Sequence, residues 1–209
     1  MRLIHLATST LVLLAAVLTP TRAMAEPSIV VSVADQTLAL VEGGVVREKF
    51  PVSTSKFGLG DNTNSYATPL GSLEIASKIG GNAPLGTVFK SRQPTGEILA
   101  PNAPGRDPIV TRILWLRGLE AANSRAYSRG IYIHGTPVEK LIGKPVSYGC
   151  IRMRSRDVAH LFTTVRVGTK IEIVNSGLSR AVAQATMKEQ SRTVRMAAQH
   201  PRGTRLAAN

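Results

Sequence analysis

Gly130-Ile131-Tyr132-Ile133-His134-Gly135 alternates with a period of two. Ile131 and Ile133 face one way, and Tyr132 and His134 face the other, as in a half-buried strand. The glycine directly after His134 places the imidazole at a strand end, where the backbone turns. The same alternation recurs upstream at Ser28 to Val33 and Thr37 to Val41. Glu42-Gly43-Gly44 makes a turn, and Val45 to Val52 runs back. Further strands read at Ser72 to Ser77 and over 109–117, where Ile109, Val110, Ile113, Leu114, Trp115 and Leu116 concentrate. Between them lie a long Ser-, Thr-, Gly- and Asn-rich loop over 53–71 and a Gly- and Pro-broken stretch over 79–108, read as loop with short strands. The pattern is mainly β.

One helix stands out near the end. Ser155 is placed to cap it and Asp157 sits in its first turn, where a negative charge suits the helix dipole. Val158, Leu161, Phe162 and Val165 recur at i, i+3, i+4 and i+7 as an apolar stripe. Val167-Gly168-Thr169 then turns the chain into Lys170 to Val174, and the domain ends near Asn175. No internal repeat is evident.

The flanks differ from this domain. Residues 1–25 read as a signal peptide, with Arg2, an apolar run from Leu11 to Leu18, and Ala23-Met24-Ala25 before Glu26. The run is too short for a membrane span, so the expected location is outside the cytoplasm, in the periplasm or cell envelope. Residues 176–209 hold six Lys or Arg and one acid, with a Pro-Arg-Gly break at 201–203. They read as a basic, flexible, solvated tail, although Leu178, Val182 and Ala185 hint at helix. The sharper reading is a basic arm for an anionic cell-wall polymer, in keeping with a formal charge of +13. Charge alone also suggests nucleic acid, but export and the lack of a base-reading motif oppose that.

The chain has one cysteine, Cys150, which excludes an internal disulfide framework and a multi-cysteine zinc site. Histidines at 5, 134, 160 and 200 are too far apart for a short metal motif. His160 falls off the helix stripe, His200 lies in the tail and His5 goes with the signal, which leaves His134 as the base for Cys150. A thiolate attacks carbonyls, an imidazole can take its proton, and Arg152 can lower the thiol pKa or bind a carboxylate. Amide N–H groups at Gly149 and Cys150 can hold an oxyanion. The plain structural alternative is a buried cysteine and a core histidine.

Ile-His-Gly-Thr at 133–136 and Ser-x-Gly-Cys-x-Arg at 147–152 resemble the L,D-transpeptidases that remodel bacterial peptidoglycan. The likeness extends over about residues 28–175, through Gln36-Thr37-Leu38, Phe50-Pro51-Val52-Ser53-Thr54, Thr68-Pro69-Leu70-Gly71 and Gly168-Thr169. It implies a mainly β domain at 26–175, a curved sheet or sandwich with one or two short helices. It implies no metal or cofactor, and peptidoglycan stem peptides as substrate. Cys150 would be the nucleophile, His134 the proton acceptor and donor, and the Gly149 and Cys150 amides the oxyanion hole. Ser147 and Arg152 would shape the site and hold the peptide, with Tyr132, Tyr148 and Gly135 beside them. Two positions depart from the family pattern: Tyr148 replaces a common histidine, and Ser55 a common glycine.

Other readings stay open on sequence. The acceptor can be a second stem, a lipoprotein, a D-amino acid or water, the last making an L,D-carboxypeptidase. A non-catalytic cell-wall binding module is a further alternative. Ser53-Thr54-Ser55-Lys56 fits the S-x-x-K of penicillin-binding enzymes, but the partner blocks of that class are missing.

Overall fold

A computed structural model describes residues 26–199. Ten strands form one mixed sheet: β1 (Ser28–Ser32), β2 (Thr37–Glu42), β3 (Val45–Pro51), β4 (Gly71–Ile79), β5 (Thr87–Lys90), β6 (Gln93–Ile98), β7 (Ile109–Gly118), β8 (Tyr132–Gly135), β9 (Ile151–Met153) and β10 (Lys170–Val174). Two α-helices, α1 (Ser155–Thr164) and α2 (Leu178–Gln199), complete the fold. The strand order is β3-β2-β1-β10-β4-β7-β5-β6, with β8 branching from β7 and carrying β9. The pairs β1/β10 and β8/β9 are parallel, and the others antiparallel.

The main core joins Ile29, Val31, Leu73, Leu114, Ile133, Ile151 and Met153 to Val158, Leu161 and Val165 of the helical stripe. Full burial of each such side chain contributes about 1.5–3 kcal/mol. The stripe therefore fixes α1 on the sheet, and β9, which leads straight into α1, is fixed with it.

β7 is kinked where it meets β8. Its register shifts between Val110 and Ile113, and Thr111 has φ of +71°, unusual for a β-branched residue. Hydrogen bonds hold it there: Thr111 Oγ1 accepts from the Gly86 N–H at 2.9 Å and donates to Ser155 Oγ at 2.8 Å. Opposite lies Gly135, where a Cβ would fall 2.6 Å from the Val110 carbonyl oxygen. Glycine at 135 thus serves the close approach of β8 to β7.

Two local expectations are corrected. Ser155 does not cap α1: Arg154 occupies the N-cap without a side-chain bond, and Glu139 Oε1 accepts the Ser155 N–H at 2.8 Å from a distant turn. The stretch after 176, read as a flexible tail, carries α2 through Gln199. Leu178, Ala181 and Val182 bury against Val30, Ala39 and Val41 on the second face of the sheet. Asp35 Oδ2 accepts the Leu178 N–H at 2.6 Å, so a side chain far away in sequence secures the helix start. The expected signal segment at 1–25 and residues 200–209 lie outside the described residues. Among those described, no helix is long and apolar enough to cross a membrane.

Candidate active site

The parallel register of β8 and β9 sets Ile133 beside Ile151, His134 beside Arg152 and Gly135 beside Met153. Ile133, Ile151 and Met153 enter the main core. The pleat therefore turns Tyr132, His134, Cys150 and Arg152 to the opposite face. Sixteen residues of sequence separation collapse into a diagonal across two neighbouring strands.

Cys150 is half-buried beside Phe89, Ile113 and Tyr132. Its Sγ accepts the Tyr132 N–H and donates to the Gly130 carbonyl, each at 3.4 Å. No hydrogen bond joins the sulfur to His134 among the described residues. The imidazole is 5% exposed, and its Nδ1 lies 2.8 Å from the Gly135 carbonyl oxygen. A carbonyl only accepts, so Nδ1 carries the proton and Nε2 keeps its lone pair.

Burial pushes the His134 pKa down to about 4, with Arg152 adding to the fall and the Gly135 bond and Asp107 opposing it. Burial pushes the Cys150 thiol up, against the Tyr132 N–H, Arg152 and Arg129, which favour the thiolate. At neutral pH the resting pair is a thiol and a neutral imidazole.

The turn before the sulfur is held tightly. Ser147, fully buried, donates its hydroxyl to the Cys150 carbonyl at 2.6 Å and accepts the Gly149 N–H at 3.2 Å. Gly149 has φ of +113°, and a Cβ there would lie 3.2 Å from both the Ala67 oxygen and Ile131 Cδ1. Only glycine fits without strain. Thr68 Oγ1 donates to the Gly149 carbonyl at 3.0 Å and accepts the Ser55 N–H at 3.0 Å. Of the two amides expected at an oxyanion hole, Gly149 is thus already donating to Ser147. The Cys150 N–H makes no hydrogen bond among the described residues.

The long loop over 53–71 is the shelf under this turn. Ser53 and Arg152 exchange backbone hydrogen bonds at 3.0 and 2.9 Å, and the Ser147 N–H donates to Thr54 at 2.9 Å. Ser55, the departure noted in the sequence, donates its hydroxyl to the Tyr66 carbonyl at 2.5 Å. Arg129 pairs with Asp61 at 2.7 Å and donates to Ala67 at 2.7 Å, both of its ion-pair side chains being largely buried. These bonds account for an ordered loop whose composition alone reads as irregular.

The other expected residues divide. Arg152, expected to hold the peptide, pairs with Asp107 at 2.5 Å, and Asp107 also accepts from Thr136 Oγ1 at 2.5 Å. Tyr132 lines the sulfur through its backbone and its ring. Tyr148 is exposed; its hydroxyl accepts from Lys56 Nζ at 3.1 Å and its ring meets Phe57 and Tyr66 at centroid distances of 5.2 and 5.8 Å. Ser53 is fully buried and donates to the Leu141 carbonyl, so the S-x-x-K tetrad is not a nucleophile site. His160 is exposed and lies 2.8 Å from Glu48. Asp107 and Arg129 were missed in the sequence and stand in no motif, whereas Thr68 opens the Thr-Pro-Leu-Gly block and only its hydrogen-bonding role was missed. The only signal of Asp107 and Arg129 is polarity within segments that otherwise read as loop.

A family model described as the L,D-transpeptidase catalytic domain matches residues 26–173. A putative L,D-transpeptidase YkuD of Bacillus licheniformis is 42% identical over 79 residues, covering 37% of this chain and 48% of that one. A putative L,D-transpeptidase YqjB of Bacillus subtilis is 51% identical over 47 residues, covering 22% and 27%. The chain thus spans less than half the length of these curated relatives. An L,D-transpeptidase structure from Mycobacterium smegmatis is 22% identical with a TM-score of 0.48, covering 72% of this chain and 59% of that one.

Proposed function

The chain belongs to the L,D-transpeptidase catalytic-domain family, and from that premise we propose that it transfers acyl groups of peptidoglycan stem peptides through a Cys150 thioester. The observation that carries this reading is the shared face: a half-buried thiol and an imidazole with a free Nε2 lie on one side of β8 and β9.

The chemistry runs in two steps. As the substrate carbonyl docks, the thiol leaves the Gly130 oxygen and gives its proton to His134 Nε2. The sulfur attacks the amide carbon between the third stem residue and the terminal D-alanine. The oxyanion falls to the free Cys150 N–H. The C–N bond breaks as the imidazolium protonates the departing amine, leaving a thioester. An acceptor amine then attacks, gives its proton to Nε2 and displaces the sulfur, which recovers that proton from the imidazolium. Arg152, with Asp107 as its counter-ion, offsets the cost of the buried thiolate. Water in the acceptor's place makes the same thioester a carboxypeptidase intermediate.

The family's peptidoglycan substrate and the expected signal at 1–25 support an envelope location. The exposed Arg192 and Arg195 of α2 support the reading of its far end as an arm for anionic wall polymer.

Purified protein incubated with a tetrapeptide muropeptide and an amine acceptor tests the proposal. D-alanine release, a product joined to the acceptor and a covalent carbapenem adduct on Cys150 are expected, and Cys150→Ser should abolish all three while keeping the fold. Tripeptide alone, with amine present, would make the enzyme a hydrolase. No release and no adduct would leave a binding module.

A further inference from the structure

Arg152 already has its carboxylate, and Arg129 has Asp61. Among the cations beside the sulfur's own cluster that have no carboxylate partner in the described residues, Arg92 is the one that bonds Tyr132. It stands at the tip of the β5–β6 hairpin, where Lys90 pairs with Gln93. Both tip residues, Ser91 and Arg92, have positive φ, at 50° and 68°. A two-residue hairpin turn of this hand favours Asn-Gly, and an arginine here is held against backbone preference. Strained residues of this kind concentrate at ligand-binding sites.

The side chain is aimed. Arg92 Nη1 donates to the Tyr132 hydroxyl at 3.4 Å, and the guanidinium lies 4.6 Å from the centroid of the Trp115 ring. Trp115 is itself fixed: it stacks on Tyr127 at 4.1 Å and 7°, meets Tyr132 edge-on at 5.7 Å, and donates its indole N–H to the Tyr127 carbonyl at 3.0 Å. Tyr132 is the residue whose N–H touches the Cys150 sulfur. One residue thus spans from nucleophile to guanidinium. A guanidinium resting on an aromatic face with one N–H engaged keeps a fork of donors for a carboxylate.

We infer that Arg92 is a specificity-determining residue that receives a carboxylate of the donor stem peptide. The inference rests on the transpeptidase reading above. The donor offers two such groups within a few bonds of the attacked carbonyl: the terminal carboxylate of D-alanine, and a side-chain carboxylate on a diamino-acid third residue. Either would lie against Arg92 while the amide faces Cys150. The hairpin would then test donor charge before acylation.

The test compares wild type with Arg92→Gly, a change that also relieves the positive φ, on three tetrapeptide donors. One is intact, one ends in D-alaninamide, and one has lysine as its third residue. Release of the terminal residue is followed by mass spectrometry. On the intact donor, Arg92→Gly should lower kcat/KM about tenfold or more, mostly through KM, as expected for loss of a charge-assisted hydrogen bond. One modified donor should cost wild type a similar factor and cost Arg92→Gly nothing further, and that donor names the carboxylate. Arg92→Lys should recover part of the loss. The inference is overturned if Arg92→Gly stays within twofold of wild type on the intact donor. It is also overturned if its loss persists undiminished on both modified donors, which would leave Arg92 a hairpin-packing residue. Wild type that releases nothing from the intact donor overturns the transpeptidase reading, and this one with it.

Discussion

The Tyr132 N–H and the Cys150 sulfur lie 3.4 Å apart, while that sulfur also faces the Gly130 carbonyl at 3.4 Å. One neighbour donates and the other only accepts, so the resting sulfur carries a proton that it gives to the carbonyl. Burial raises the thiol pKa above its ordinary value, and Arg152 opposes the rise. Alkylation of Cys150 by iodoacetamide should therefore be slow at pH 7 and climb through the alkaline range, with a midpoint above the usual cysteine value of about 8.5. Arg152→Gln should move that midpoint higher still. A midpoint below 7 in wild type would mean that a thiolate–imidazolium pair exists before substrate binds.

His134 has a linked consequence for stability. Its folded pKa is lowered to about 4 by burial, against about 6.5 in the unfolded chain. Between those values the unfolded state binds the extra proton. The stabilisation from a neutral buried imidazole is thus complete above pH 6.5, declines as pH falls toward 4, and is gone below. The span corresponds to about 3 kcal/mol. Urea unfolding of wild type should weaken by that order between pH 7 and 4, and His134→Gln should lose much of this dependence. Equal pH slopes in the two proteins would show that the acid loss comes from other groups.

What the sequence disclosed, and what it withheld, follows from range. Alternation in Gly130–His134 located both the strand and the facing of His134, because a period of two is a local property of the backbone. Ile171 and Ile173 were equally plain in β10, and Val158, Leu161 and Val165 in α1. The Ser147 and Gly149 turn was legible as a motif, since its bonds close within three residues. The partners of Arg152 and Gly149 were not. Asp107 and Thr68 lie 45 and 81 residues from them along the chain; the Thr-Pro-Leu-Gly block marks Thr68, but no local pattern says which groups packing brings against either residue. The Leu178 stripe was visible, but it read as tail because the sheet face that covers it comes from Val30, Ala39 and Val41 near the other end of the chain.

Ser147→Ala should damage the site through its turn. The hydroxyl joins the Cys150 carbonyl to the Gly149 N–H in a fully buried position, so alanine leaves both groups without this partner. Removing one buried partner costs about 1–3 kcal/mol. Thermal melts should show a lower Tm, and the residual activity should fall by more than the unfolded fraction explains, since the Gly149–Cys150 amides lose their fixed direction. Ser147→Thr keeps the hydroxyl but adds a methyl to a packed site, and should retain more activity than alanine if the hydrogen bonds govern. An alanine variant with wild-type kcat/KM would show that the turn is held adequately by Thr68 alone.

Different parts of α2 should separate by truncation. Leu178 and Val182 are each 8% exposed and cover Val30, Ala39 and Val41, so Leu178→Ala should cost about 2–3 kcal/mol. Farther along, Val194 is 68% exposed, and Arg192 and Arg195 face solvent. Ending the chain after Gln190 removes Arg192, Arg195, Arg202 and Arg205 and no acid. It should leave Tm nearly unchanged, because exposed groups outside the core contribute within about 0.5 kcal/mol. Binding to purified sacculi in low salt should nevertheless weaken in the truncated chain, and the salt dependence seen with the full chain should flatten. If both chains co-sediment alike at every salt concentration, the basic end is not the wall-binding element; if the truncated chain melts well below wild type, the far half of α2 belongs to the folded domain.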